Sequence, residues 1–294
     1  AGPAVNLLPG EEGYDPDAVV APAGAADEMA GRAQSKRGTQ SSLEVAKPIP
    51  KASVRSTPSM DDGTSAMPSN VNHSMHVTFN EFLARYEGLP EEWEHMNQQF
   101  GVPYGSIPKS SVPGYDERIP SVLIMMKRNL VENNGRDQVG IFRLAPDRDD
   151  CDFVKNQINT GQFDSVEDVN VIANLIKVWF RDMPSGLLNT IDDETIYKIA
   201  DLPTEQVPSE YHKFAEPTKS LFLWLLDLMA EVVTNEAVNK MSAKNMSIVL
   251  SPNLYQINSA NPMAALTMAQ KIADFTTKML AGRLREKHGY DARI

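Results

Sequence analysis

Val139-Gly140-Ile141-Phe142-Arg143 sets one arginine behind a glycine and two apolar residues, between two helix-forming segments. Arginine carries a permanent charge on a planar, forked group, but on a loop by itself it reads as an ordinary solvated side chain. Lys177 and Arg181 stand four residues apart, so they share one helical face. That face lies opposite a stripe of Ile172, Leu175, Ile176, Trp179 and Met183, and alone it is a charged exterior. Asn239 and Asn245 lie in Asn239–Leu254. Asn245 falls within an apolar run, where a buried amide has to be hydrogen-bonded. His73 and His76 have a spacing that metals use, yet no third ligand is near, and a strand-like context puts them on opposite faces. No pair of carboxylates stands close together in an apolar setting of the kind an independent hydrolase would need.

These residues need elements to hold them. Ile119, Val122, Leu123, Met126 and Leu130 share one face, which predicts a helix ended by Asn133-Asn134-Gly135. Asp149-Asp150 are expected to cap a second helix carrying Phe153, Val154 and Ile158 and stopped by Gly161. A third is expected from about Glu167 to Met183, ended by Pro184. Asp192–Ala200, Pro217–Thr234, Ala243–Leu250 and Pro262–Lys287 are further helical segments. No parallel-sheet pattern and no internal repeat appears, so the fold class is all-α. Residues 1–64 are rich in Ala, Gly, Pro and Ser and poor in aromatics, which predicts a disordered acidic tail. His76–Phe82 is β-prone, Gly88-Leu89-Pro90 signals a turn, and Glu91-Glu92-Trp93 opens a short helical stretch.

Three blocks in order, Gly140–Arg143, Ile172–Pro184 and Asn239–Leu254, resemble the RhoGAP family, over about Phe100 to Lys287. The family's patterns are the Gly-Ile-Phe-Arg loop, the Leu-Lys-x-x-x-Arg-x-Leu-Pro helix and the Asn-x-Met…Asn-Leu-Ala…Pro-Asn-Leu segment. The one small departure is Val139, where many members have Glu. Upstream, Pro68, His73, His76, Val77, Gly88, Pro90 and Trp93 match the CRIB motif, the Rho-GTPase-binding element of PAK-type kinases. Ser65-Ala66 stand where that motif has Ile-Ser, Val71 where it has Phe, and Thr78 where it has Gly. The form with Val and Thr resembles plant Rop GTPase-activating proteins.

What the resemblance implies is a RhoGAP domain over residues 100–290, preceded by a CRIB-like segment over 65–95. Arg143 is then the catalytic arginine finger, supplied in trans to a small GTPase. Gly140 lets the loop turn, and Lys177 and Arg181 brace the loop or pair with acidic switch residues. Asn239 and Asn245 complete the docking surface, while Pro68, His73, His76, Val77, Pro90 and Trp93 bind the GTPase through the CRIB-like strand. The implied partner is a Rho-family GTPase, Rac- or Rop-like, in its GTP-bound state. Mg²⁺ and GTP belong to that partner, so no cofactor is expected here. A dimer is compatible with the sequence, and a non-catalytic GTPase-binding scaffold is the alternative reading.

Composition bounds the rest. The chain has 294 residues, 41% of them hydrophobic, enough for a sizeable core. A formal net charge of −11 argues against general nucleic-acid binding and against adhesion to an anionic membrane. Its single cysteine, Cys151, allows no intrachain disulfide, which fits a reducing compartment. The longest apolar run, Leu221–Val233, is too short to span a bilayer and contains Asp227 and Glu231. The expectation is a cytoplasmic protein recruited to the plasma membrane through its lipidated GTPase, with no insertion of its own.

Overall fold

The computed structural model describes residues 76–290. The tail expected over 1–64, together with Pro68 and His73, lies outside them. The described chain is mostly helical, with two small antiparallel ribbons. Strand β1 (Thr78–Asn80) pairs with β2 (Arg85–Glu87) in the register Thr78↔Glu87, Phe79↔Tyr86, Asn80↔Arg85. The turn between them closes because Asn80 Oδ1 accepts the N–H groups of Phe82 and Leu83, both at 3.0 Å. Strand β3 (Lys109–Ser110) pairs with β4 (Ile119–Pro120). Between the ribbons, Glu91–Asn97 forms a 3₁₀ turn, the short helical stretch expected there.

Nine helices follow among the described residues: α1 (Ser121–Glu132), α2 (Arg148–Asn159), α3 (Val169–Arg181), α4 (Asp193–Ala200), α5 (Pro208–Tyr211), α6 (Thr218–Val233), α7 (Glu236–Asn239), α8 (Ala243–Leu250) and α9 (Pro262–His288). Helix α3 buries Ile172, Leu175, Ile176 and Trp179 as its stripe predicts, and packs on α1 and α2. Helix α6 is buried nearly all round, which makes it the central helix of the body. The long α9 packs along α4, α6 and α8. The Leu221–Val233 run thus fills a core, and among the described residues no helix is long and apolar enough to cross a membrane.

Several local expectations change. Asp149 and Asp150 do not cap α2. They lie in its first turn and give their N–H groups to Asp147 Oδ1, at 2.8 and 3.3 Å, because the chain turns helical one residue after Asp147. Phe153 is 63% exposed, since the buried face of α2 runs through Cys151, Val154 and Ile158 and Phe153 falls off that stripe. Helix α1 starts at Ser121, with Ile119 already buried in β4. Helix α3 ends at Arg181, capped by Asp182, before Pro184 is reached, and Met183 packs half-buried in the turn beyond it.

The β1–β2 hairpin is fastened to the helical body. Arg85 Nη1 donates to the carbonyl of Gly161 at 2.9 Å, just beyond the end of α2. The Arg128 guanidinium of α1 lies 3.3 Å from the centroid of the Phe82 ring and donates to the Phe82 carbonyl. Asn97 Oδ1 accepts the Tyr86 N–H at 2.7 Å, and Asn159 Oδ1 accepts the N–H of Gln99 at 2.9 Å. Trp179 Nε1 donates to the Gln99 carbonyl at 2.9 Å, tying this joint to the middle of the core.

Candidate active site

The loop leading to Arg143 is built from backbone geometry. Gly140 sits at φ +73° and Phe142 at φ +66°, both in the left-handed region. A Cβ on Gly140 would stand 3.0 Å from Leu144 Cγ, so glycine is required on two counts. Phe142 is not a glycine, and its left-handed backbone costs on the order of 1–3 kcal/mol unless its surroundings hold it. They do so on both sides. Its ring is fully buried beside Ile141, and its carbonyl accepts from Lys177 Nζ at 2.6 Å. The Arg143 and Leu144 N–H groups both return to the Gly140 carbonyl, each at 2.9 Å. Arg143 is thereby carried out of a closed turn. Its side chain is exposed and makes no hydrogen bond or ion pair among the described residues.

Lys177 and Arg181 share a face of α3 but differ in what they do. Lys177 is half-buried and reaches the loop. Burial pushes its ammonium below the usual lysine range, and the neighbouring Arg181 adds to this against a smaller opposing effect of Cys151. Arg181 is exposed, and its one ion pair among the described residues is with Asp182, at 3.8 Å. Asp182 is itself held by Lys155 at 2.7 Å. Lys177 is the brace, and Arg181 points its charge at water.

The two asparagines, both expected on the docking surface, differ in burial. Asn239 is fully buried and cannot form part of a docking surface. Its Nδ2 donates to the carbonyls of Arg136 and Val232, both at 2.7 Å, and its Oδ1 accepts the Met241 N–H at 2.8 Å. Its own carbonyl accepts the Gly140 N–H at 2.8 Å. Asn239 therefore joins the end of α6, the segment leaving α1 and the Gly140–Leu144 loop at one point. Asn245 is only half-buried, in the first turn of α8, where its N–H is capped by Ser242 Oγ at 3.1 Å and its Nδ2 reaches the Lys240 carbonyl at 3.4 Å. Being polar within an apolar run pointed to the wrong asparagine, because α8 turns that position toward its edge.

Of the CRIB-like residues, His76 and Val77 are exposed and lead directly into β1. Trp93 is also exposed, with Pro90 accepting its N–H at 2.8 Å to close the 3₁₀ turn. Gly88 lets the chain pass close to His76, since a Cβ there would stand 2.3 Å from the His76 carbonyl oxygen. These residues do not converge on Arg143. His76 and Val77 lead into the hairpin that docks beyond the C-terminal end of α2, and Pro90 and Trp93 lie at the 3₁₀ turn after it, whereas the Gly140–Leu144 loop feeds the N-terminal end of that 12-residue helix, about 18 Å long. A groove of about 370 Å³ beside the loop is lined by Arg148, Cys151, Lys155, Asn174 and Arg181. Burial pushes the Cys151 thiol up, against the smaller opposing effect of a hydrogen bond from Asn174.

Comparison with known proteins places this geometry. The RhoGAP domain profile matches residues 120–259, and the P21-Rho-binding domain profile matches residues 66–103. The chain is 30% identical to Rho GTPase-activating protein 5 of Arabidopsis thaliana over 228 residues, covering 75% of this chain and 67% of that protein. The chain belongs to the Rho GTPase-activating protein family. It is also 37% identical to Rho GTPase-activating protein gacA of Dictyostelium discoideum over 196 residues, 65% of this chain and 57% of that protein. The crystal structure of human Rho GTPase activating protein 15 superposes with a TM-score of 0.52 over 67% of this chain and 96% of that chain. At 21% identity it supports the fold alone. The chain thus spans between about half and two-thirds of the length of gacA and of the Arabidopsis relatives it matches. Within the RhoGAP match lie the Gly140–Leu144 loop, Lys177, Arg181, Asn239 and Asn245. The β1–β2 hairpin and the 3₁₀ turn form the second half of the P21-Rho-binding match.

Neither Asn239 as the clamp on the finger loop nor Arg85 as the hairpin's anchor was legible beforehand. For Asn239 the available signal was its place directly before Lys240-Met241. Lys240 takes a left-handed backbone, so the side chain before it is free to bond back across the turn. For Arg85 the sequence carried no signal.

Proposed function

We propose that this chain accelerates GTP hydrolysis by a Rho-family small GTPase, Rac- or Rop-like and in its GTP-bound state, by inserting Arg143 as an arginine finger. The observation that carries this reading is an unpaired, exposed arginine on a closed turn whose backbone is clamped from two sides, by Lys177 and by Asn239. A loop already ordered leaves little entropy to lose on docking, and its charge is preset for the transition state.

Negative charge builds on the oxygen bridging the β- and γ-phosphates as GTP breaks down. A guanidinium delivered there stabilises that charge by an amount worth about 10³- to 10⁵-fold in rate. The partner supplies Mg²⁺ and the nucleotide. By family resemblance, the Arg143 carbonyl orients the glutamine that positions water. Lys177 acts as a positioning residue through the Phe142 carbonyl, and Arg181 and Asn245 face the GTPase. In the P21-Rho-binding segment, β1 pairs with β2 alone among the described residues. Its second edge suits strand addition to a GTPase sheet, and a second contact raises the effective concentration of the first. Recruitment to the plasma membrane follows from the lipid on the GTPase.

A transition-state mimic tests this reading. A Rac-type GTPase loaded with GDP and aluminium fluoride is expected to bind this chain at least tenfold more tightly than the GDP form does. Arg143→Ala is expected to lose that gain. Equal affinity for the two forms would count against a finger that acts on the transition state.

A further inference from the structure

The finger loop sorts its apolar residues into two sets. Ile141 and Phe142 are fully buried and anchor it, whereas Val139 is 53% and Leu144 46% exposed. Val238 is 54% exposed and directly precedes Asn239, whose carbonyl receives the Gly140 N–H. All three positions are held. The Leu144 N–H bonds to Gly140 at 2.9 Å, and the Val238 N–H bonds to Asn235 at 2.9 Å. Val139 is fixed by Gly140, its neighbour in the closed turn. Exposed apolar residues therefore stand on either side of the Arg143 turn in the chain, and a third stands on the segment that its Gly140 N–H bonds to. Pre-ordered apolar side chains around a central charged group have the anatomy of an interface hot spot, with a ring that shuts water out. What receives Arg143 also meets these residues, because Val139 and Leu144 flank it on the same turn and Val238 is tied to that turn through the Asn239–Gly140 hydrogen bond.

We propose that Val139, Leu144 and Val238 form an apolar collar that seats on apolar side chains flanking the nucleotide pocket of the GTPase, and that this collar selects among GTPases by what they present there. The proposal rests on the GTPase-activating reading above. A GTPase with a lysine or carboxylate at the matching rim would bury an unpaired charge against the collar and be rejected. With a matched partner the collar excludes water from the finger, which strengthens the electrostatic action of Arg143.

The test uses the whole chain and a panel of GTP-loaded Rho-family GTPases, with steady-state hydrolysis resolved into kcat and KM. Val139→Asp/Leu144→Asp is expected to lower kcat/KM by about tenfold to a hundredfold, mostly through KM, and to change the order of preference across the panel. Val238→Asp, on a separate element, is expected to act in the same direction, and Leu144→Met to preserve activity. Leu266→Asp serves as the control. Leu266 is exposed near the N-terminal end of α9, whereas the chain just past the other end of that 27-residue helix, about 33 Å away, lies beside Glu236 of α7. Its kinetics are expected to match those of the unsubstituted chain. If the unsubstituted chain accelerates hydrolysis and Arg143→Ala abolishes that, yet the collar variants keep kcat, KM and preference, the collar is overturned while the finger stands. If the unsubstituted chain accelerates no GTPase, the underlying reading falls and the collar with it.

Discussion

Arg143→Ala is expected to lower the single-turnover rate of GTP hydrolysis on a saturated complex by about 10³- to 10⁵-fold, with GTPase affinity changed only several-fold. The split follows from where the side chain sits. Arg143 contributes no packing and no hydrogen bond to its own fold among the described residues, so removing it leaves the loop intact. Ile141, Phe142, Lys177 and Asn239 still hold the turn. The thermal midpoint is expected to move by no more than about 1 °C, as for surface substitutions away from structural features. Arg143→Lys should recover little of the rate. A lysine keeps the charge but offers neither the reach nor the fork that lets one group bridge two oxygens. Rapid-quench measurement of phosphate release, beside calorimetric binding to a GTPase loaded with a non-hydrolysable GTP analogue, checks both halves. A parallel loss of rate and affinity would assign Arg143 to docking.

The second large effect is on stability. Arg283→Met is expected to destabilise the fold by about 3–5 kcal/mol, the scale for removing one partner of a buried ion pair, or roughly 6–20 °C in midpoint for a body of this size. Arg283 of α9 is almost fully buried and donates to both carboxylate oxygens of Asp227 in α6, at 2.6 and 2.9 Å. Its Nη1 also reaches Glu286 at 2.8 Å. Tyr115 donates to Asp227 at 2.7 Å and Tyr211 donates to Glu286, so a single cation joins α6, α9, α5 and the loop before β4. Without it, Asp227 is left charged within the central helix. Replacing Asp227 by leucine as well should recover much of the loss, since an apolar pair has no unpaired charge to bury.

The same group sets a pH dependence. Burial pushes the Asp227 carboxyl up, but hydrogen bonds from Arg283 and Tyr115 and the charge of Arg283 outweigh it, and the native value lies below the ordinary one. A depressed native value means that the ionised form is bound more tightly in the folded state. Its contribution is present above the ordinary aspartate value of about 3.9, and is lost as the pH falls from there through the native value. Acid unfolding of the unsubstituted chain is expected to steepen below about pH 4, and Asp227→Leu/Arg283→Met to flatten that limb.

Much of this was legible because it depended on local period and on short blocks. The α3 stripe set the burial of Ile172, Leu175, Ile176 and Trp179, and α8 runs over Ala243–Leu250 as its pattern predicts. The closed turn before Arg143 could be read because glycine, two apolar anchors and an arginine stand consecutively. Less could be read where the deciding contact is remote. Asp147, Asp149 and Asp150 are equally good caps on paper, and the path of the chain after Pro146 chooses the first. Asn239 looks like a surface residue, yet it is buried because the carbonyl of Arg136, 103 residues away, and that of Val232, seven residues away, converge on its amide. Asp227 appeared only as a flaw in an apolar run, and its partner stands 56 residues away. Lys177 and Arg181 shared every sequence property that mattered, and only the position of the Phe142 carbonyl separates brace from exposed charge.

The most direct test of the central claim is single-turnover hydrolysis by a GTP-loaded Rac- or Rop-type GTPase, measured with and without a saturating amount of this chain. A rate increase of several orders of magnitude is the predicted result. Tight binding with an unchanged rate, across Rho-family GTPases, would contradict it and leave a GTPase-binding scaffold that acts through its P21-Rho-binding segment.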